Sequence, residues 1–413
     1  MLIRSFIIIL LSNVVFSQNI LSGYGYGSSK LQSSPSSLAL SNSLLPSFKN
    51  DVALSNPSSW HNLAFVHLNT AADLQQSIYE DFSSTNFSLS SVKLIVPWKN
   101  EISFGISFEP FLEREIVTDD STSTKISLSD QEINYKRTNT SSGGPSIAKF
   151  SFGNKLNDFE SIGLSFGYIF GSSRLTKKLN VDSENYLVQS RDFFSGSLLE
   201  LYFSTSRLNK SGKIDLFLGY GMSLNDLDIE NNSYQVFLDL NNNNSHDNND
   251  YPSVSQSLPP EITFYDNEIK ISDIRIGLDY EFSLRKHLQF EYANFRDSGN
   301  HSSNSSLFSS FVSGKEKFSL SYAKFAKPLS RDRINFRSSI NYQDFDVENF
   351  QKVSEIGLGI GLGINFGITG NQIDFGYNVS KRKNVLNKND ELLQIFSIGV
   401  SIADLWFVKR REI

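Results

Sequence analysis

The stretch with the clearest chemical spacing is DLNNNNSHDNND, residues 239–250. Its first, third, fifth, ninth and twelfth places carry oxygen-bearing side chains, which are Asp239, Asn241, Asn243, Asp247 and Asp250. This is the spacing of a calcium-binding loop, and Ca²⁺ takes about six to eight oxygen ligands. Asn in place of the central glycine and Asp in place of the final glutamate depart from that pattern. We expect a candidate Ca²⁺ site here and no other cofactor; a solvated polar loop is the alternative.

A second set of charged residues recurs at alternate positions of short segments. The set comprises Glu109, Asp215, Asp273, Arg275, Asp279, Glu281, Glu291, Arg337 and Asp374. In SDIRIGLDYEF the charges alternate with Ile274, Ile276 and Leu278, which is the period of a β-strand. These charges could form a proton or ion path. Ion pairs that stiffen a polar interior and hold a hatch are the interpretation that we favour.

Catalytic chemistry finds little support in the sequence. The chain has no Cys, and its five His residues are scattered, so we expect neither a nucleophile with its base nor a thiolate metal site. The formal net charge is −6 without a basic patch, which argues against a nucleic-acid partner. We predict that the protein is not an enzyme.

Apolar residues alternate with small or polar ones along most of the chain. The segments EISFGISFEPF, SIGLSFGYIF, KIDLFLGYGMSL and SEIGLGIGLGINFG are examples. Period-two alternation places one set on each face of a strand. About fourteen such segments occur, each of roughly the ten residues that a tilted strand needs to cross a membrane.

The connections between these segments fall into two classes of length. Short ones alternate with longer stretches rich in Ser, Asn and Asp, at 116–144, 172–191, 226–270 and 297–315. Short turns on one side and long polar loops on the other are typical of an outer-membrane barrel. We predict an all-β, transmembrane antiparallel β-barrel of about 14 strands, which contacts the lipid of the bacterial outer membrane.

The N-terminal part precedes the first of these segments. Residues 1–17 carry Arg4 before an apolar run and end in small residues, as a secretory signal peptide does. Residues 18–58 are rich in Gly, Ser and Leu. The alternate glycines from Gly357 to Gly363 leave one strand face bare, which indicates that another backbone lies against it. We therefore expect residues 18–58 to form a hatch inside a barrel of residues 59–413; a disordered periplasmic tail is the alternative.

The chain resembles the FadL-like family of outer-membrane transporters for long-chain fatty acids and other hydrophobic compounds, and its relatives in Bacteroidetes-type bacteria. Asn56, Pro57 and Ser58 are similar to the Asn-Pro-Ala motif that ends the family's hatch. FGISFEPF resembles the family's strand interrupted near a proline, here Pro110, and IGVSIADLWFVKRREI resembles its C-terminal end. Ser58 and the terminal Ile413 depart from the family pattern.

The resemblance implies passive uptake of a fatty-acid-like ligand and its lateral release through the barrel wall at a kinked strand. Pro110 cannot donate a ladder hydrogen bond, so a wall kink there is plausible, and a simple strand end is the other interpretation. The alternative function is a non-transporting barrel that serves as a surface or secretion-system accessory and binds partner proteins. The barrel assembly machinery is an expected partner.

Overall fold

The computed structural model describes residues 19–29, 34–45, 55–79, 82–98, 101–128, 131–182, 184–206, 208, 213–302, 307–308, 310–326, 333–348, 352–366, 371–386 and 389–404. The predicted signal peptide and residues 405–413 lie outside this part of the chain. No helix in the described part is long and apolar enough to cross a membrane.

The prediction of a closed antiparallel barrel with 14 strands is confirmed. The strands in chain order are β1 Ser28–Ser29, β2 Val66–Tyr79, β3 Phe82–Trp98, β4 Ile102–Pro110, β5 Leu112–Glu113, β6 Ile116–Leu128, β7 Gln131–Lys155, β8 Glu160–Val181, β9 Glu184–Thr205, β10 Ile214–Ser233, β11 Phe237–Leu238, β12 Glu261–Ile269, β13 Ile271–Ser283, β14 Lys286–Asp297, β15 Val312–Lys324, β16 Ile334–Val347, β17 Val353–Phe366, β18 Asn371–Leu386 and β19 Asn389–Asp404. β4 and β6 both pair with β7 and together form the third barrel strand. β19 pairs with β2 and closes the barrel.

The wall strands have one apolar outer face and one small or polar luminal face. In β17 the outward Ile356, Leu358 and Ile360 are 54%, 53% and 54% exposed, whereas the glycines between them are buried. Apolar side chains on this outer face can meet lipid, while backbone groups are satisfied by neighbouring strands. The alternation of apolar with small or polar residues in the sequence therefore reflects which side chains face lipid and which face the lumen.

The strands differ in length between the two sides of the barrel. β7, β8, β9 and β10 have 25, 22, 22 and 20 residues, whereas β13 to β19 have from 12 to 16. The longer strands continue beyond the membrane on the side away from the short turns. The prediction of long loops at 116–144 and 172–191 is therefore wrong, because most of these residues form paired strands.

The segment before β2 folds back into the barrel as a hatch, as predicted. It contains a 3₁₀ helix at Ile20–Gly23, the helix α1 at Pro35–Leu40 and a second 3₁₀ helix at Pro57–Asn62. Ser34 caps α1 and Pro35 occupies its first turn, which are both favourable starts for a helix. A helix of six residues is marginal on its own, so its contacts with the wall must hold it.

Luminal glycines of the wall make room for the backbone of the hatch. A Cβ atom at Gly359 would lie 2.5 Å from the carbonyl oxygen of Ala39, and one at Gly376 would lie 2.5 Å from that of Pro35. Ser339 Oγ donates a hydrogen bond to the same Ala39 carbonyl at 2.8 Å. The bare face of β17 thus exists because α1 lies directly on it.

Candidate functional site at the interrupted third strand

The third barrel strand is interrupted after Pro110. β4 pairs with β7 as far as Pro110, but it pairs with β3 no further than Phe108. The chain then leaves the ladder, and β6 resumes pairing with β7 at Ile116. We call residues 111–115 the kink. Pro110 therefore lies where the regular wall ends; its role as a wall kink stays a prediction.

The backbone of β7 shapes the pocket that receives the kink. Phe111 N donates to Pro145 O, and Arg114 N donates to Gly143 O, both at 2.9 Å. Gly143 has a φ of +89°, and a Cβ atom at Gly144 would collide with the carbonyl of Leu112. Glycine is therefore required at both positions, because of conformation at one and close approach at the other.

A buried ion pair anchors the kink from within. The Arg114 side chain is fully buried, and its Nη1 lies 3.0 Å from Asp192 Oδ2 on β9. Ser173 Oγ is 3.2 Å from the same Nη1, and Asn231 Nδ2 donates to Asp192 Oδ1 at 2.6 Å. A buried charge needs such partners, and here they hold the kink in one defined position in the wall.

The kink is joined to the hatch by a short ladder. β1 and β5 pair antiparallel, with Ser28 opposite Glu113 and Ser29 opposite Leu112. Gly27 has a φ of +112°, and a Cβ atom there would collide with the Glu113 carbonyl. Two-stranded pairings of this size are marginal by themselves. This contact can therefore open at small cost compared with a wall ladder.

Side chains rather than a backbone ladder close the wall between β3 and the kink. Residues 82–91 pair with β2 on one side, and within the described residues no strand pairs with them on the other. Asn86 Nδ2 donates to Glu115 Oε2 at 2.6 Å, and Ser88 Oγ donates to Glu113 Oε1 at 3.1 Å. The gap in the ladder is thus bridged by two side-chain hydrogen bonds.

An apolar cluster lies behind the kink and joins the hatch, the kink and the extracellular loops. Its members include Tyr26, Phe111, Leu112, Phe194, Ile269, Ile271 and Phe311. The Tyr26 ring meets Phe194 and Phe311 edge-on, at centroid distances of 5.6 and 5.5 Å. A cavity of about 40 Å³ adjoins the cluster, and a second of about 80 Å³ reaches Pro110 and the polar wall beyond it.

Two lysines reach this part of the lumen from β15. Lys315 lines the smaller cavity, with its Nζ 5.4 Å from the centroid of the Phe345 ring. Lys317, on the same face of the strand, is 3% exposed. Neither ammonium group has an ion-pair or hydrogen-bond partner among the described residues. Since buried cations are usually paired, an anionic group that entered the cavity would be favoured here.

A continuous network of buried charges lies on the other side of Pro110. Its members are Lys93, Glu109, Lys149, Glu200, Asp273 and Arg275. Successive members are joined by N–O distances of 2.6 to 3.1 Å. The network brings together the predicted Glu109, Asp273 and Arg275. Sequence reasoning missed Lys93, Lys149 and Glu200, although each stands at a luminal position of an alternating strand.

The other predicted luminal charges stand apart from this network. Glu291 accepts hydrogen bonds from the hatch backbone, from Ser43 N at 2.8 Å and Leu44 N at 2.7 Å. The remainder interact within the wall: Arg337 with Asp374, Asp279 with His287, Glu281 with the backbone of Arg285, and Asp215 lies opposite Asp279. Their place in an ion path stays a prediction.

Asn56, Pro57 and Ser58 seat the last turn of the hatch on the wall. Asn56 caps a 3₁₀ helix, and its Oδ1 accepts a hydrogen bond from Ser58 N at 3.1 Å. A Cβ atom at Gly163 would lie 2.6 Å from Ser58 N, and one at Gly153 would collide with Pro57 O. The motif and two wall glycines are thus complementary in shape; the functional role of the motif stays a prediction.

The five residues of the candidate calcium loop lie together beyond β11. Asp239 Oδ1 accepts from Asn243 N at 3.2 Å, and Asp250 Oδ2 accepts from Asp247 N at 2.7 Å. Asp247 Oδ2 accepts from the amide groups of Asn241 and Asn243, each at 2.8 Å. In the described part of the chain, no three His, Asp or Glu side chains are grouped to hold a metal ion. Amide oxygens would have to complete the site, and calcium binding stays a prediction.

One segment carries the letters of the serine-hydrolase motif G-x-S-x-G, which was overlooked when no such motif was found in the sequence. Residues 163–167 read GLSFG, but they lie in the middle of β8. Ser165 Oγ is 2.8 Å from Ser151 Oγ. A nucleophile elbow requires a sharp turn from a strand into a helix. The segment therefore gives no support for hydrolysis.

The closed barrel with its luminal hatch has the fold of FadL-type outer-membrane barrels. The CymD monoaromatic hydrocarbon channel is similar at a TM-score of 0.56 and 13% identity, covering 94% of this chain and 99% of that one. A Pseudomonas aeruginosa FadL homologue is similar at a TM-score of 0.56 and 10% identity, covering 92% of this chain and 99% of that one. At these identities the likeness establishes the fold alone.

The chain belongs to the BamG family, whose model matches residues 2–412. No curated protein matches the sequence. The resemblance to FadL-like barrels is confirmed as a resemblance of fold. The narrower placement among Bacteroidetes-type relatives stays a prediction, as does export by the signal peptide.

Proposed function

We propose that this barrel passes hydrophobic small molecules from the extracellular side into the outer membrane through the wall at the kink. The observation that carries the proposal is the pairing of β1 with β5, which ties the hatch to the interrupted strand. Separation of this short ladder would part the hatch from the kink and open the space between them. No other gap in the wall is needed.

The ligand class follows from the surroundings of the smaller cavity. Apolar side chains of the hatch, the kink and the neighbouring wall strands line it, and Lys315 stands at its edge. A molecule with an apolar body and one anionic group, such as a fatty acid, would satisfy both features. The charge network beyond Pro110 would direct such a ligand to the wall rather than down the lumen.

Passage requires the hatch to move, because the cavities are small. Their volumes are about 40 and 80 Å³, and an apolar cavity that holds benzene measures about 150 Å³. Separation of β1 from β5 would enlarge the cavity behind Leu112. Loss of the Asn86–Glu115 and Ser88–Glu113 hydrogen bonds would then open the wall to lipid.

The test is mass spectrometry of small molecules that co-purify with the detergent-extracted barrel. We expect a lipid-like anion that is enriched over an unrelated barrel prepared alongside, and reduced several-fold by Lys315→Ala with Lys317→Ala. Pro110→Ala should alter the amount retained. An empty barrel, or a ligand set equal to that of the unrelated barrel, would count against passage.

The second candidate is a non-transporting barrel that acts as a surface or secretion-system accessory and binds partner proteins. The small cavities and the hydrogen-bonded closure of the gap favour it, since a permanent plug needs no larger space. The family description, BamG, hints at the barrel assembly machinery as the partner. Co-purification of a stoichiometric protein with an empty lumen would select this function.

Calcium binding by the 239–250 loop is a separate hypothesis. We expect Ca²⁺ at millimolar concentration, the range of weak extracellular sites, to slow proteolysis of this loop. Asp239→Ala with Asp247→Ala should remove the effect. An equal rate of cleavage with and without Ca²⁺ in the wild-type protein would eliminate the site.

A further inference from the structure

β12 is a strand with one free edge outside the membrane. It pairs with β10 over residues 261–265, and the residue pairings of the described strands include none at its other edge over that range. Nearer the membrane, the backbone N–H groups of Ser298 and Asn300 cover the edge by donating hydrogen bonds to the carbonyls of Lys270 and Asn267. An uncovered strand edge presents unpaired N–H and C=O groups that fit another extended chain.

The outer face of β12 is apolar where its edge is free. Ile262 and Phe264 are 52% and 70% exposed, and Leu258, just before the strand, is 70% exposed. Scattered exposed apolar residues are common on proteins, but here they alternate along one open strand. This pattern matches strand addition, in which alternate side chains give the specificity.

These side chains lie beyond the lipid-facing belt. β12 continues β13 away from the membrane, and the outward apolar residues of β13 end near Ile274. The polar residues Ser272, Lys270 and Asp266 lie between Ile274 and Phe264. At about 3.3 Å per residue, Phe264 is well clear of the hydrocarbon region. Lipid contact therefore does not account for the exposed face.

Two carboxylates lie beside Phe264 on the exposed face of β12. Glu230 lies directly opposite Phe264 on β10, and Asp266 follows it on the same face of β12. Neither carboxylate has an ion-pair or side-chain hydrogen-bond partner in the described part of the chain. A partner that covers Phe264 would gain most if it brought Lys or Arg to these two groups.

We propose that β12 is a docking edge for an extended segment of a second protein at the cell surface, with apolar residues at alternate positions and Lys or Arg beside them. The segment adds a strand along residues 261–265 and covers Ile262 and Phe264. This inference goes beyond the passage of small molecules and does not depend on it, because residues 261–265 belong neither to the kink nor to the lining of its two cavities.

The test uses the full chain in its own outer membrane, with a photoreactive residue at position 262 or at position 264. Position 240 is the matched control, since Leu240 is 60% exposed in the same extracellular region but lies off β12. Both test positions should attach to one foreign protein, at sites two residues apart in an apolar-alternating segment. Glu230→Lys with Asp266→Lys should lower the yield about tenfold, and the heat-dependent gel shift should report an intact barrel.

Several results would overturn the proposal. Adducts with lipid alone, adducts with a second copy of this chain, or no adduct at either position would each do so. Adducts whose sites do not follow a two-residue spacing would also do so, because an extended partner strand requires that spacing. Uptake should be unchanged in the charge-reversal variant, which separates this result from failure of the passage proposal.

Discussion

The hatch meets the barrel wall in two contrasting ways. On β17 and β18, α1 lies on glycines whose replacement would place a Cβ atom against its backbone. At the kink, the hatch is held by two residue pairs to a segment that is itself bent out of the wall. The first contact fixes position by shape, and the second depends on few hydrogen bonds. The contrast assigns the fixed part of the hatch to α1 and the moving part to β1.

Removing the anchor of the kink should have the largest effect. Arg114→Ala leaves Asp192 buried without its cation, and loss of one partner of a buried pair costs about 3–5 kcal/mol. We expect a lower urea midpoint in detergent and faster proteolysis at the kink. Arg114→Met with Asp192→Leu should recover much of the stability, because no buried charge remains. A single variant as stable as wild type would mean that the ion pair does not hold the kink.

Blocking the fixed contact should come next. Gly361→Val places a branched side chain against Ala39 of α1, and overpacking of this kind costs about 1–3 kcal/mol. The expected result is a displaced hatch, which protease or a cysteine label at position 39 would detect. Gly221→Ala is the matched control, since the nearest heavy atom to its Cβ lies at 3.6 Å. Equal behaviour of the two variants would remove the distinction between fixed and moving contacts.

Weakening the side-chain closure of the gap should have a smaller effect on stability. Asn86→Ala with Ser88→Ala removes the two hydrogen bonds to the kink, each worth about 1 kcal/mol. Uptake of radiolabelled oleate should rise by up to about thirtyfold, since about 2 kcal/mol in total is lost and about 1.4 kcal/mol corresponds to a factor of ten. Unchanged or slower uptake would argue that ligand does not leave between β3 and the kink.

Raising the pH should loosen the extracellular cover of the hatch slightly. His301 contacts Asp297 at 3.1 Å and Glu348 at 2.7 Å, and it stacks on Phe311, which packs on Tyr26. Burial lowers the pKa of His301, but the two carboxylates outweigh it and raise the pKa to about 9.

Because the folded pKa is raised, the stabilisation is complete below about pH 6.5 and is lost as the pH rises through about 9. Partial exposure limits the effect to about 1 kcal/mol. Proteolysis of residues 298–302, normalised to a His301→Gln variant, should rise between pH 7 and 10. A constant ratio over that range would show that the charged imidazole does not hold the loop.

The barrel could be read from the sequence because membrane-crossing strands obey one simple pattern. Ile356, Leu358 and Ile360 must face lipid, so their alternation with glycine is strict. The glycines on the opposite face predicted that a second backbone, the hatch, packs against this strand. The extensions of β7 to β9 were missed because the outward run of apolar residues stops there, as in SSRLTKKLN of β8, although inward residues such as Leu175 and Leu187 stay buried. Without an apolar outer face, Ser- and Asn-rich strands have the composition of loops.

The site was only partly predictable. Pro110 marks the interruption because proline has a fixed backbone and no N–H group. The partners of the kink could not be found in this way, since Arg114 and Asp192 are distant in sequence and Gly143 resembles any loop glycine. The pairing of β1 with β5 involves two serines that carry no strand pattern. Such contacts depend on the closed barrel rather than on local sequence.

The most direct test of the account is to lock β1 to β5. Ser28→Cys with Glu113→Cys places two cysteines opposite each other in an otherwise cysteine-free chain, at a separation that suits a disulfide. If β1 must leave the kink for ligand to pass, oxidised protein should take up oleate much more slowly than reduced protein. Oxidation should not change the rate of uptake by either single-cysteine variant. Equal uptake by the oxidised and reduced forms would contradict the central claim that the hatch opens the wall at the kink.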